Sequence, residues 1–151
     1  MVHLVYCDKK AKVLQKILSG EKTMVVRGAA GRKIPHSRVF AGETLYFMEQ
    51  GSKKISASAT VSEVFNFVKL SEEAIAETLA AQAQALNLTE EQKKRWHRKC
   101  LCLIRFEAVR KITPPLDFDR QKNMDDWLIL EKIEDAVVGA SVPYNYEKSR
   151  F

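Results

Sequence analysis

Apolar residues recur along this chain with two periods, and the changes between them mark out strands and helices. Residues 2–6 (Val-His-Leu-Val-Tyr) read as a short first strand. Asp8 can cap a helix that runs through Ser19 and stops at Gly20. On it Val13, Leu14, Ile17 and Leu18 form an apolar face, while Lys9, Lys12 and Lys16 form a cationic stripe. Residues 23–27 read as a strand, and 28–39 (GAAGRKIPHSRV) as a Gly-rich basic loop. A turn at Ala41-Gly42-Glu43 leads into a strand at 44–49, and a hairpin turn at 50–53 follows. Residues 54–67 have period two: Ile55, Ala57, Ala59 and Val61 face one way, and Ser56, Ser58, Thr60 and Ser62 the other.

The middle of the chain changes to helical spacing. Ser71-Glu72-Glu73 opens an alanine-rich helix expected to reach about Leu86. Thr89 and Gln92 have the spacing of a capping box for a second, short helix that ends near His97. Residues 99–111 return to strand alternation through Ile104, Phe106 and Ala108, with a break expected at Pro114-Pro115. A last strand is expected at 127–133, and the tail from Val138 has no period and is expected to drape over the body. Strands that alternate, interrupted by one helical insertion, predict a small α+β barrel with helices at its rim.

Length and composition fit this picture. The 151 residues suit one domain, 1–151, and 46% hydrophobic residues are enough for one core. No apolar run approaches the ~20 residues of a membrane helix. The lysines of MVHLVYCDKKAK follow the apolar stretch instead of preceding it, so no export signal is read. Three cysteines suit reduced thiols in the cytoplasm better than a disulfide framework. Charge changes the picture more. The net charge is +6, and residues 1–60 hold 11 Lys+Arg against 4 Asp+Glu. A polyanionic partner for the first third is the natural inference.

The most specific segment is 17–27, ILSGEKTMVVR. Lys22 sits in the turn after the helix, where side chain and backbone can meet an anion together. Arg27 ends the next strand, and its planar fork suits phosphate oxygens or a base edge. This segment resembles the ASCH family of the PUA-like superfamily, marked by Gly-x-Lys-x-x-Glu-x-Arg after the first helix. Gly20, Lys22 and Arg27 match, and Val25 stands at the glutamate position. The order of later landmarks matches too: a variable loop, Ala41-Gly42-Glu43, then the small-residue strand ISASATVSEVFNF. The resemblance covers roughly residues 4–112 and leaves 113–151 as an extension. It implies a PUA-like, mostly antiparallel β-barrel of five or six strands with peripheral helices and a cleft facing the motif. For function it implies RNA or nucleotide recognition. Some small members look like amidohydrolases of acetylated cytidine, using a lysine, a threonine three residues on and a glutamate in the helical insertion. Lys22 matches that lysine, but Val25 and Leu86 fall on the other two positions. Valine is no nucleophile and leucine moves no proton, so this activity is not carried over.

Other candidates weigh less. His97, Cys100 and Cys102 lack the spacing and the fourth ligand of a structural zinc site, so the cysteines are expected to pack as small hydrophobes. The run Lys93, Lys94, Arg95, Arg98, Lys99 reads as a solvated helix end that can extend a nucleic-acid surface. Trp127 is expected in the core, and Trp96 is the better stacking candidate although packing is the simpler reading. The expectation is therefore an RNA-binding domain that recognises RNA or a nucleotide portion of it in a basic cleft, without catalysis. Lys22 and Arg27 would hold phosphate or a base edge, and Arg32, Lys33 and Arg38 would add backbone contacts. No catalytic residue, metal, cofactor or membrane contact is assigned. The alternative from another class is a hydrolase of a modified nucleoside amide or RNA phosphodiester. A third is a protein-interaction module.

Overall fold

The computed structural model describes residues 1–121 and 125–149. Its elements are β1 (Val2–Cys7), α1 (Val13–Leu18), β2 (Met24–Ala29), β3 (Thr44–Glu49), β4 (Lys54–Phe67), α2 (Glu72–Ala81), α3 (Ala83–Leu86), α4 (Glu90–Arg95), β5 (Cys100–Asp117), β6 (Trp127–Leu130) and α5 (Tyr146–Ser149), with a 3-10 turn at Ile133–Ala136. The strands form one sheet in the order β2-β5-β4-β3-β1-β6. β1 and β3 run parallel, and the other neighbouring pairs run antiparallel. The sheet curls into a half-barrel with helices at its rim, in keeping with the small α+β barrel expected from the sequence.

Curvature comes from β4 and β5. Their register shifts three times, between Ile55 and Ala57, Ser58 and Thr60, and Val61 and Glu63. Each shift adds local twist and bends the pair. Ala57 and Ala59 on the concave side are small enough to let the bend tighten, and both are buried. The alternation read in residues 54–67 is borne out: Ile55, Ala57, Ala59 and Val61 are all buried.

The barrel interior is filled by Val5, Val25, Phe47, Ile104, Phe106 and Trp127, and α1 closes one end with Val13, Leu14 and Ile17. A second cluster packs Met24, Val26, Leu101 and Leu103 against Ile75, Leu79, Leu86 and Trp96 of the helical insertion. The third places Leu4, Met48 and Leu128 under Phe118 and Ile133. Gly28 needs to be glycine for space, because a Cβ there would stand 2.7 Å from Leu101 and 2.9 Å from the Cys100 carbonyl.

Several boundaries differ from expectation. The first helix begins at Val13, not after Asp8, because Lys12 takes a left-handed conformation with φ 55°. Asp8 instead accepts the Ala11 N–H at 3.2 Å and caps a turn. Leu18, expected on the apolar face, is exposed. The long helix breaks at Gln82, whose side chain accepts a bond from Arg105 at 3.0 Å. β5 does not stop before Pro114-Pro115 but continues to Asp117. The prolines are tolerated because Ile112 to Pro115 fall between the paired positions Ala57–Lys111 and Ile55–Leu116, where no ladder N–H is demanded of them. β6 ends at Leu130, and Ile133 belongs to the 3-10 turn. The capping box formed as read: Thr89 accepts the Gln92 N–H at 3.2 Å, and Gln92 accepts the Thr89 N–H at 3.1 Å. The tail does drape over the body, with the Tyr144 hydroxyl accepting the Ile129 N–H at 3.3 Å.

Candidate functional site

A curled sheet with free edges leaves a seam, and here one side chain closes it. Arg27 projects from β2 at one edge and reaches the other. Its Nη2 donates to the Tyr6 carbonyl at 2.8 Å and its Nε to Asp126 Oδ1 at 3.1 Å. A third bond runs from Nη1 to the Val26 carbonyl at 2.9 Å. The Arg27 guanidinium carbon also stands 5.4 Å from the Trp96 ring centre and 5.6 Å from that of Trp127. A guanidinium carries five N–H donors, so donors remain for a ligand. Below Arg27, the Trp127 indole N–H donates to His3 Nδ1 at 3.0 Å, and His3 Nε2–H donates to Glu43 at 2.9 Å. The buried imidazole is held neutral, since burial lowers its pKa more than Glu43 raises it.

Beside the seam lies a cleft of about 1320 Å³. Arg27, Lys33, Lys53, Arg95, Arg98 and Arg120 line it, against two acids, Asp125 and Asp126. Asp126 bridges Arg27 and Arg95, the latter at 3.2 Å, and Asp125 pairs with Lys33 at 3.0 Å. Among the described residues Lys53, Arg98 and Arg120 have no carboxylate partner. Tyr6, Trp96 and Tyr146 supply aromatic wall. The cleft is therefore cationic, partly apolar and open to solvent.

Lys22 occupies a separate recess of about 20 Å³ that shares Tyr6, Arg27, Trp96 and Asp126 with the cleft. It is only 3% exposed, and its ammonium donates to the Leu86 carbonyl. Burial first, then the nearby charges of Arg27 and Lys16, lower its pKa to about 7. Where the likeness to the hydrolase-like members would place a glutamate, at Leu86, the chain thus offers a main-chain oxygen. Val25, at the other position, is buried in the barrel core.

Of the five cations singled out in the sequence, Arg27 and Lys33 line the cleft, and Lys22 sits in the adjoining recess. Arg32 and Arg38 belong to the same loop but lie outside the cleft lining. Four cleft cations were not assigned from sequence. Arg95 and Arg98 were signalled by the basic run 93–99, Lys53 only by its place in a hairpin turn, and Arg120 by nothing local.

Among the described residues no three His, Cys, Asp or Glu side chains gather as a metal site. Cys7, Cys100 and Cys102 are free and buried. Burial raises the Cys7 and Cys102 thiols to about 12, against the opposing pull of Arg27. The thiolate is the reactive form and all three thiols are buried away from reagent, so the native protein is expected to react slowly with a disulfide reagent at pH 8, and all three thiols to react once it is unfolded. A single thiol titrating at once in the native protein would contradict this.

The fold is that of ASCH structures. The ASCH protein of Zymomonas mobilis superposes with a TM-score of 0.64 at 13% identity, over 87% of this chain and 88% of that one. Two single-substitution variants of that protein give TM-scores of 0.66 and 0.65 at 13% identity, over 87% of this chain and 91% and 89% of theirs. No family model matches the sequence, and no curated protein matches it. No helix among the described residues is long and apolar enough to cross a membrane.

Proposed function

We propose that this half-barrel of the ASCH fold binds single-stranded RNA, or a nucleotide portion of it, in the basic cleft, by recognition without chemistry. The observation that carries the reading is the balance of the lining among the described residues, six Arg and Lys against two Asp, with Lys53, Arg98 and Arg120 paired there with no carboxylate. Free cations in a cleft with aromatic wall suit a strand that presents phosphates outward and bases inward. Arg27 and Lys33 contribute at the seam, Lys22 acts from the recess, and Arg32 and Arg38 extend the charge along the loop beyond it. The apolar Val25 and Leu86 side chains argue against the hydrolase alternative.

The test is binding of a labelled single-stranded RNA as a function of salt. Four or five phosphate contacts at about −0.7 each predict a log–log slope near about −3. Arg98→Glu with Arg120→Glu is expected to weaken binding at least about a hundredfold, since each of the two lost charge-assisted contacts costs about 1.5–3 kcal/mol. Arg110→Glu with Lys111→Glu, an equal charge change at exposed positions outside the cleft, is the control. The tail cations Lys148 and Arg150 would make an equal charge change, but Arg150 and the Lys148 side chain lie outside the described residues. Equal weakening by both pairs would reduce the site to net charge. Turnover of an acetylated cytidine that disappears in Lys22→Ala would replace recognition by hydrolysis.

A further inference from the structure

We infer that Arg95 is a base-stacking residue: its guanidinium, laid over Trp96 and tethered by Asp126, is the platform for one base of a bound single-stranded RNA. The inference rests on the RNA-binding reading above and assigns a division of labour within that cleft.

Trp96 is the aromatic side chain within the basic run, yet it is only 8% exposed and packs with Met24, Val26 and Leu101. Little of its ring is left to receive a base. Arg95 covers it instead, with the guanidinium carbon 4.6 Å from the ring centre. The Arg95 side chain is itself 51% exposed, so one side is backed by the indole and much of the rest is open to the cleft. The guanidinium is planar and weakly hydrated, stacks readily on aromatic faces and can receive an RNA base. Its position is set before any ligand arrives. Nη2 is bonded to Asp126 Oδ2 at 3.2 Å, and Asp126 is fixed in turn through Oδ1 by Arg27. The backbone beneath is pinned as well, by the Tyr6 N–H donating to the Asp126 carbonyl at 3.1 Å. Holding the group in place beforehand spares ordering entropy on binding.

Charge separates Arg95 from Arg98 and Arg120. Its carboxylate partner, shared with Arg27, offsets part of its field, which weakens it as a phosphate contact. Arg98 and Arg120 have no such partner among the described residues and keep their full charge for the strand's backbone. A carboxylate-tethered, π-backed plane beside cations without carboxylate partners among the described residues is the arrangement that base stacking with phosphate anchoring requires.

The experiment compares Arg95→Lys with Arg98→Lys by fluorescence anisotropy. The probes are a single-stranded RNA and a sugar–phosphate strand of equal length without bases. Lysine keeps the charge and loses the plane. Arg95→Lys is expected to weaken RNA about tenfold, the worth of one stacked base. Its salt slope and its affinity for the abasic strand are expected to stay at wild-type values. Arg98→Lys is expected to change affinity for both probes by the same factor, because a phosphate contact does not depend on the bases. Wild-type tryptophan emission is expected to change with RNA and not with the abasic strand. If Arg95→Lys binds RNA as wild type does, or loses both probes alike, the stacking role is overturned while the RNA-binding reading stands. A wild-type protein that binds no RNA at low salt overturns both.

Discussion

In Lys22→Met, the rise of folding stability between pH 7 and pH 10 that is expected of the wild-type protein is largely abolished. An unfolded lysine holds its proton to about pH 10.4, whereas folded Lys22 releases it near 7 because burial and the charges of Arg27 and Lys16 oppose it. Between those values the unfolded state binds more protons, so stability rises with pH. One proton contributes about 1.4 kcal/mol per pH unit. Below pH 7 both states hold the proton, and the penalty of burying the charge is present in full. Methionine fills similar volume without a charge. It leaves the Leu86 carbonyl without its donor, a loss of about 1–3 kcal/mol that does not vary with pH. The readout is thus the difference between wild type and variant, which is expected to shift by about 4 kcal/mol in favour of wild type from pH 6 to pH 10. Chemical denaturation at each pH measures it. A difference that stays constant over this range would mean that Lys22 keeps an ordinary lysine pKa in the fold.

Arg27→Met is expected to lower stability by about 3 kcal/mol, among the largest losses for any side chain lining the cleft. Arg27 is 12% exposed at its side chain and Asp126 26%, so this pair is screened far less than a surface bridge. Removing the guanidinium frees the Tyr6 and Val26 carbonyls and one oxygen of Asp126. It also removes the cation near Trp96 and Trp127. Asp126 retains Arg95, which keeps the loss at the lower end of the 3–5 kcal/mol typical of a broken buried pair. Arg27→Lys is expected to recover only part of it, since an ammonium cannot span Tyr6 and Asp126 with a planar fork. If Arg27→Met unfolds within about 0.5 kcal/mol of wild type, as an ordinary surface substitution does, the seam does not depend on this residue. The same dependence is why charge reversal at Lys22 or Arg27 is a poor test of binding: the fold would change with the site.

What the sequence determined by itself is local. Period-two alternation marked β4 at its observed bounds, because one face of a half-buried strand must be apolar and the other need not be. The Thr89–Gln92 capping box specified the start of α4, since its bonds lie within four residues of one another. The order of Gly20, Lys22, Arg27 and the Ala41-Gly42-Glu43 turn pointed to the fold that the ASCH structures share. Where those short-range rules met a long-range demand they failed. The proline pair was read as a stop, but a register shift across β4 and β5 carried it inside a strand. The first helix was read from its apolar spacing, but Lys12 turned left-handed at its entrance. The site was the least legible part. Lys22 and Arg27 read as anion contacts, and nothing near them in the chain announced that Lys22 would be buried and Arg27 largely enclosed. Their partners are Leu86 and Asp126, 64 and 99 residues away. Arg120 likewise has no local signal and enters the cleft only because β5 and β6 deliver it there. Hydrophobic pattern encodes which face is buried. Which charged side chains then converge depends on how the sheet curls and where its edges meet, and only the tertiary structure decided that.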